Sequence, residues 1–361
     1  MRFCALAVIL VACRAPQPAA PGARPQLQSN ILRSDYAGSD SCRDCHAPIW
    51  NAWANSPMHK MTRLPQAAQI RAPFAARPTF KFKGDELSLD EAGGERFMHV
   101  RSVKYGEHTY KGANRLTDKK ALITGGDSGI GRAVSLAFAR EGADVLFSYL
   151  NEHDDAQETL RVVRDAGRQA ISVPGDISNE NHCRSLIDRT VRELGAIDIL
   201  VNCAGYQMSR EGIGDISSEE FDHTLKTNVY AMFWLCKYAF PHMPEGGAVI
   251  NTASIQAYQP SPNLLAYAAT KGAIVTFTKA FAEEAIKRGV RVNAVAPGPI
   301  WTPLIPSTFP AEHVQEFGKN TPTGRAGQPV EIAPVYVFLA STESSYITGE
   351  VIGATGGRPL G

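Results

Sequence analysis

No sign of charge predominates in this 361-residue chain: 37 lysines and arginines stand against 36 aspartates and glutamates, a net charge of +1. With no basic run either, there is no electrostatic reason to expect nucleic acid or an anionic membrane as a partner. Cysteine is scarce and odd in number: seven, at positions Cys4, Cys13, Cys42, Cys45, Cys183, Cys203 and Cys236. Their irregular spacing does not read as a disulfide framework. Cys183, Cys203 and Cys236 sit in apolar, periodic stretches and are expected to be small buried hydrophobes. Internal repeats and low-complexity tracts are missing as well. What is present is an ordinary 44% hydrophobic content, enough for a packed core.

The two parts of the chain differ in character. Met1-Arg2 precedes an unbroken apolar run from Phe3 to Ala12. That run is too short to span a bilayer but suits the core of a signal peptide, so residues 1–20 read as a leader. Leu10-Val11-Ala12-Cys13 resembles a lipoprotein cleavage box, in which Cys13 would be lipidated and hold the chain at a membrane; a misassigned start codon is the alternative. Next comes Cys42-Arg43-Asp44-Cys45-His46. Two thiols so spaced can add across the vinyl groups of one haem, and the adjoining histidine can ligate its iron. Residues 21–98 resemble the opening of a truncated multihaem c-type cytochrome, expected to be poorly ordered. The resemblance implies haem c on Cys42 and Cys45, His46 as iron ligand, and His59 as second axial ligand. Only one such motif occurs, and a zinc-type knuckle or an idle dithiol remains open. Residues 99–117 read as a polar arm.

From residue 118 onward, short β-branched runs alternate with long amphipathic stretches. The pattern predicts α/β architecture: a doubly wound parallel sheet, a Rossmann fold, behind an irregular N-terminal extension. Strands are expected near Ala121–Thr124, Asp144–Ser148, Ala170–Val173, Ile197–Val201, Ala248–Thr252, Arg291–Ala294 and Val351–Gly353. Helices fall between them, one running from Phe221 to Phe240.

The first strand leads directly into Gly125-Gly126-Asp127-Ser128-Gly129-Ile130-Gly131 and then a helix. Strand, glycine turn and helix together make a glycine motif meaningful. Gly125 permits a tight turn, Gly129 lets backbone approach a pyrophosphate, and Gly131 allows the helix to pack on the strand. The unpaired N–H groups of the helix N-terminus face the phosphates.

Thr124 to Gly131 resembles the fingerprint of the short-chain dehydrogenase/reductase family, and further matches follow in order. Asp176-Ile177 looks like the pair that contacts adenine. Asn202-Cys203-Ala204-Gly205 resembles the family's Asn-Asn-Ala-Gly turn, with Cys203 in place of the second asparagine, a poor substitute in a strand-end hydrogen bond. Pro297-Gly298, with Ile300 and Thr302, resembles the loop beside the nicotinamide carboxamide. The resemblance implies a nicotinamide cofactor bound by Thr124, Gly125, Asp127, Ser128, Gly129, Ile130, Gly131, Asp176, Ile177, Asn202, Ala204, Gly205, Pro297, Gly298, Ile300 and Thr302. Charge favours NAD over NADP, because the segment after the second strand, Tyr149 to Asp155, is acidic and would repel a 2′-phosphate. Arg132 is the residue that could reverse this choice.

Tyr267 and Lys271 stand four apart on a helical stretch, so phenol and ammonium project together. Ser254 lies just past a strand and could return beside the phenol. In the family, residues matching Ser254, Tyr267, Lys271 and Asn228 form a catalytic set, and Tyr267 and Lys271 also touch the cofactor. A free tyrosine titrates near pH 10 (about 10 in model peptides), too high for an efficient base. An ammonium nearby and the positive ring of the oxidised cofactor are expected to lower it. Tyr267 would exchange a proton with a small-molecule alcohol or carbonyl, Ser254 would stabilise charge on the oxygen, and Asn228 would anchor a water. The loops Gln256–Pro262 and Trp301–Phe309, with Ile255, Tyr258, Trp301 and Leu304, are expected to line a mixed pocket with no obvious carboxylate clamp.

The chain also resembles a branch of generic oxidoreductases with a polar arm, matched by Tyr110 to Leu116. Family members are commonly homo-oligomers, often tetramers. Haem attachment belongs outside the cytoplasm and soluble NAD(H) inside it. The expected site is therefore the cytoplasm, with Met98 a candidate start and an exported, membrane-anchored haem electron carrier as the alternative.

Overall fold

A computed structural model of the chain describes residues 79–82, 85–92, 95–102, 106–111 and 114–360. Cys13, Cys42, Cys45, His46 and His59, which carry the export and haem expectations, lie outside them. Residues 79–111 contain a four-stranded antiparallel meander, β1 (Thr79–Phe82), β2 (Asp85–Ala92), β3 (Glu95–Ser102) and β4 (Gly106–Lys111), in sequential order. Leu89 pairs with Met98, so position 98 lies within β3.

The main body is a seven-stranded parallel sheet. Its strands are β5 (Lys120–Thr124), β6 (Asp144–Tyr149), β7 (Ala170–Pro174), β8 (Ile199–Asn202), β9 (Ala248–Thr252), β10 (Arg291–Pro297) and β11 (Val351–Ala354). Each begins within two residues of its expected start. The spatial order is β11-β10-β9-β8-β5-β6-β7. The chain winds outward from β5 through β6 to β7, then crosses back to β8 and winds the other way. This is the expected doubly wound Rossmann arrangement, and the order reverses between β5 and β8.

Side chains of each strand alternate between two apolar layers, as a pleated strand requires. Ala121, Ile123, Val145 and Phe147 face one layer, built with α1 (Gly129–Arg140), α2 (His153–Asp165) and α9 (Pro329–Ala340). Leu122, Leu146, Leu200 and Val249 face the other, with α3 (Glu180–Leu194), α5 (Ala231–Ala239) and α6 (Leu265–Ala285). The expected helix Phe221–Phe240 is three pieces: α4 (Ser218–Leu225), a π-helical turn Lys226–Tyr230, and α5. Two short helices, α7 (Leu304–Thr308) and α8 (Ala311–Glu316), follow β10. Among the described residues no helix is long and apolar enough to cross a membrane, and no cluster of histidine, cysteine and carboxylate side chains could hold a metal.

Candidate active site

A cleft of about 600 Å³ runs across the carboxyl ends of β5 to β10. Its floor is the glycine turn after β5. Gly125 has φ +66°, and a Cβ there would lie 2.9 Å from Ala204 Cα. A Cβ on Gly131 would lie 2.0 Å from the Gly125 carbonyl oxygen, so only glycine lets α1 approach this closely. Ser128 caps α1 without a side-chain capping bond; its hydroxyl bonds the Asp127 carboxylate instead. The first-turn N–H groups therefore keep the cleft as their outlet, which suits a pyrophosphate. Burial raises the Asp127 carboxyl.

Of the expected cofactor residues, Gly125, Asp127, Ser128, Gly129, Ile130 and Gly131 line the cleft floor. Asp176 and Ile177 line it beyond β7, Ala204 and Gly205 beyond β8, Pro297 at the end of β10, and Gly298, Ile300 and Thr302 beyond it. Thr124 and Asn202 do not line it. Thr124 works behind the wall: its Oγ1 accepts the backbone N–H groups of Cys203 and Ala204 at 3.0 and 3.1 Å. Asn202 is turned inward, donating to Asn251 Oδ1 at 2.8 Å. Because the strand-end bond goes to the backbone of residue 203, the thiol there does not weaken it. Burial instead pushes the Cys203 thiol up to about 11, against a hydrogen bond from Thr252.

The catalytic candidates converge. Ser254 lies two residues past the end of β9, where its Oγ accepts the Gln256 N–H at 3.1 Å and its side chain hydrogen-bonds Tyr267. Tyr267 opens α6 and Lys271 sits one turn on, with Nζ 5.1 Å from the Tyr267 ring centroid. Lys271 Nζ donates to the Thr252 carbonyl at 2.7 Å. Enclosure dominates the electrostatics. Burial pushes the phenol up to about 12, with the Ser254 bond pulling the other way. The Lys271 ammonium is itself driven down to about 8 by burial. The expected lowering of the phenol is thus not supplied by the chain's own groups: desolvation disfavours both charged forms and outweighs the Ser254 hydrogen bond.

Asn228 lies in the π-helical turn, away from the cleft. Its Oδ1 accepts the Tyr206 N–H at 2.7 Å, and its Nδ2 donates to Tyr206 O at 2.9 Å and Thr270 Oγ1 at 3.0 Å. Thr270 Oγ1 donates in turn to the Tyr267 carbonyl at 2.6 Å. This amide therefore ties the loop after β8 to the helix that carries Tyr267. Of the expected pocket residues, Ile255, Gln256 and Leu304 line the cleft, whereas Tyr258 and Trp301 do not. Trp301 packs edge-on against Phe317, centroids 5.2 Å apart. Sequence reasoning missed Tyr206, Gln207, His223 and Phe317, which line the cleft from outside any motif.

A cleft with this floor, at the point where strand order reverses, belongs to dinucleotide-binding α/β oxidoreductases. A family model described as enoyl-(acyl carrier protein) reductase matches residues 125–358. The chain belongs to the short-chain dehydrogenase/reductase family. It is 54% identical over 268 residues to general stress protein 39 of Bacillus subtilis (strain 168), covering 74% of this chain and 93% of that protein. It is 46% identical over 270 residues to glucose and ribitol dehydrogenase of Daucus carota, covering 73% and 93%. A solved short chain dehydrogenase from Burkholderia cenocepacia J2315, in complex with NADP, superposes with a TM-score of 0.64 at 31% identity, covering 67% of this chain and 98% of that one. These relatives lend no support to the cytochrome resemblance of residues 21–98.

Proposed function

We propose that the chain interconverts a small alcohol and its carbonyl with NAD as hydride carrier. The observation that carries this reading is the convergence of Ser254, Tyr267 and Lys271 on one face of the glycine-floored cleft. When bound, nicotinamide would accept or supply the hydride. Tyr267 holds the proton. A phenol raised to about 12 is protonated at neutral pH, the form that donates to a carbonyl oxygen. The Ser254 hydroxyl hydrogen-bonds the same oxygen and stabilises the charge that develops on it. Lys271, fixed by the Thr252 carbonyl, keeps a cation within reach of the phenol. A relative named glucose and ribitol dehydrogenase supports alcohol–carbonyl chemistry.

Purified Tyr267→Phe should lose about 10²- to 10⁴-fold in turnover while still binding NAD, read by calorimetry. Unchanged turnover would remove Tyr267 from this role.

NAD is preferred over NADP because the cation nearest the adenosine end is already engaged. Arg132 donates to Asp155 Oδ1 at 2.6 Å, to Thr159 Oγ1 at 3.0 Å and to the Asp127 carbonyl at 2.7 Å. Glu152 and Asp155 line the cleft at that end. A 2′-phosphate would meet two carboxylates and a neutralised guanidinium. The solved relative with NADP makes the alternative concrete. Asp155→Asn removes the carboxylate that neutralises Arg132 and should raise the NADP-to-NAD ratio of kcat/KM about tenfold, roughly 1.4 kcal/mol. A ratio that does not move would place the discrimination elsewhere.

A further inference from the structure

Beside the cleft lies a second chamber of about 290 Å³. The two share Ile255, Gln256, Leu264, Pro299, Phe309 and Phe317 as walls. The chamber thus adjoins the cleft on the side of the Ser254 loop, next to where a molecule reacting at Tyr267 would lie. The shared wall is largely apolar; farther out the chamber turns polar, with Gln259, Asn263, Asn320 and Arg358.

The chamber wall carries one guanidinium and one carboxylate, and only the guanidinium is shielded from solvent. Arg358 is the only guanidinium or ammonium among the described residues that line it. It is half-buried, and its guanidinium makes one hydrogen bond, from Nη2 to the Asn320 carbonyl at 2.9 Å. Among the described residues no carboxylate pairs with it. The acid on this wall, Glu316, pairs with Lys319 at 2.8 Å. Its side chain is 71% exposed, so solvent screens its field. A guanidinium with free N–H donors in a concave wall is suited to bidentate recognition of a carboxylate or phosphate.

The segment that presents Arg358 is anchored. Thr355 Oγ1 donates to the Arg358 carbonyl, and Gln259 Nε2 donates to the Pro359 carbonyl at 3.1 Å. Neither pocket loop supplies a carboxylate clamp; this cation arrives from the C-terminal tail, remote in sequence from both.

We propose that the chamber holds the anionic end of the substrate, which is an aldehyde or alcohol carrying a carboxylate or phosphate several bonds from the reacting carbon, and that Arg358 binds that anion. The proposal rests on the dehydrogenase reading of the cleft.

Binding and turnover test it separately. Full-length protein saturated with NAD is titrated calorimetrically with succinate and glycerol 3-phosphate, and with the neutral analogues 1,4-butanediol and glycerol. At least one anion should bind about tenfold more tightly than its neutral analogue, and Arg358→Gln should abolish that advantage, while Arg358→Lys keeps part of it. In steady state, Arg358→Gln should lower by about tenfold the kcat/KM ratio of succinic semialdehyde to butanal, or of glyceraldehyde 3-phosphate to glyceraldehyde. The pair that responds tells carboxylate from phosphate. The proposal is overturned if neither anion outbinds its neutral analogue, or if the advantage survives in Arg358→Gln. Anion binding lost in Arg358→Gln, in a protein that turns over no aldehyde, sinks the dehydrogenase reading and upholds the chamber. Turnover without charge preference does the reverse.

Discussion

Lys271 is 3% exposed, and burial holds its ammonium near 8, against an ordinary 10.5. Tyr267, one turn away, is driven the opposite way, from 10.0 to about 12. Both shifts cost the charged form, and each has a signature in stability. Between about pH 8 and 10.5 the unfolded chain keeps a lysine proton that the folded chain has released, so stability rises with pH. Above about pH 10 the unfolded chain has lost a tyrosine proton that the folded chain keeps, so stability falls. Lys271→Met removes the first slope. Its stability relative to the parent should decline by on the order of 2 kcal/mol as pH is raised from about 7 to 10. Urea denaturation at successive pH values measures this; a constant difference would mean that the ammonium is not desolvated in the fold.

At the scale of elements, strands were the most legible part. Runs such as Ala121–Thr124 and Ala248–Thr252 are short, apolar and bounded by polar or glycine residues, so apolar patterning alone locates them. The segment Phe221–Phe240 was harder, because apolar periodicity does not register one extra residue per turn. The π-helical turn at Lys226–Tyr230 is where Asn228 meets the Tyr206 backbone, a pairing invisible to spacing. Thr124 and Asn202 show a different limit. A motif fixes their places in the chain, yet Thr124 braces a strand end from behind and Asn202 bonds across strands. Strands β3 and β4 hide within a polar stretch: Glu95-Arg96 followed by Phe97-Met98 breaks the alternation of β3, and Tyr110 is the one large apolar side chain in β4. Arg358 reaches the chamber only through tertiary folding; its neighbours Asn320 and Gln259 are far away in sequence.

For the whole molecule, the question is where the cooperative unit begins. Both apolar layers draw their described residues from Leu116 onward. Leu116 is fully buried and its N–H donates to the Glu141 carbonyl at 2.9 Å. Arg115 pairs with Glu141 at 2.7 Å and with Glu343 at 3.4 Å, joining the ends of α1 and α9. The end of the polar arm thus packs on the Rossmann elements, which favours an edge of the cooperative unit ahead of residue 115 over one at 118. Two truncations bracket the true edge. A chain starting at residue 113 keeps these contacts and should unfold in one transition, within about 4 °C of the corresponding transition of the full chain. A chain starting at residue 118 loses the Leu116 side chain from the core and leaves Glu141 without its cation. It should be less stable by roughly 2–4 kcal/mol. Calorimetry on the two chains decides it: equal stability would show that Arg115 and Leu116 are ornament, and failure of the longer one to fold would extend the cooperative unit into residues 79–111.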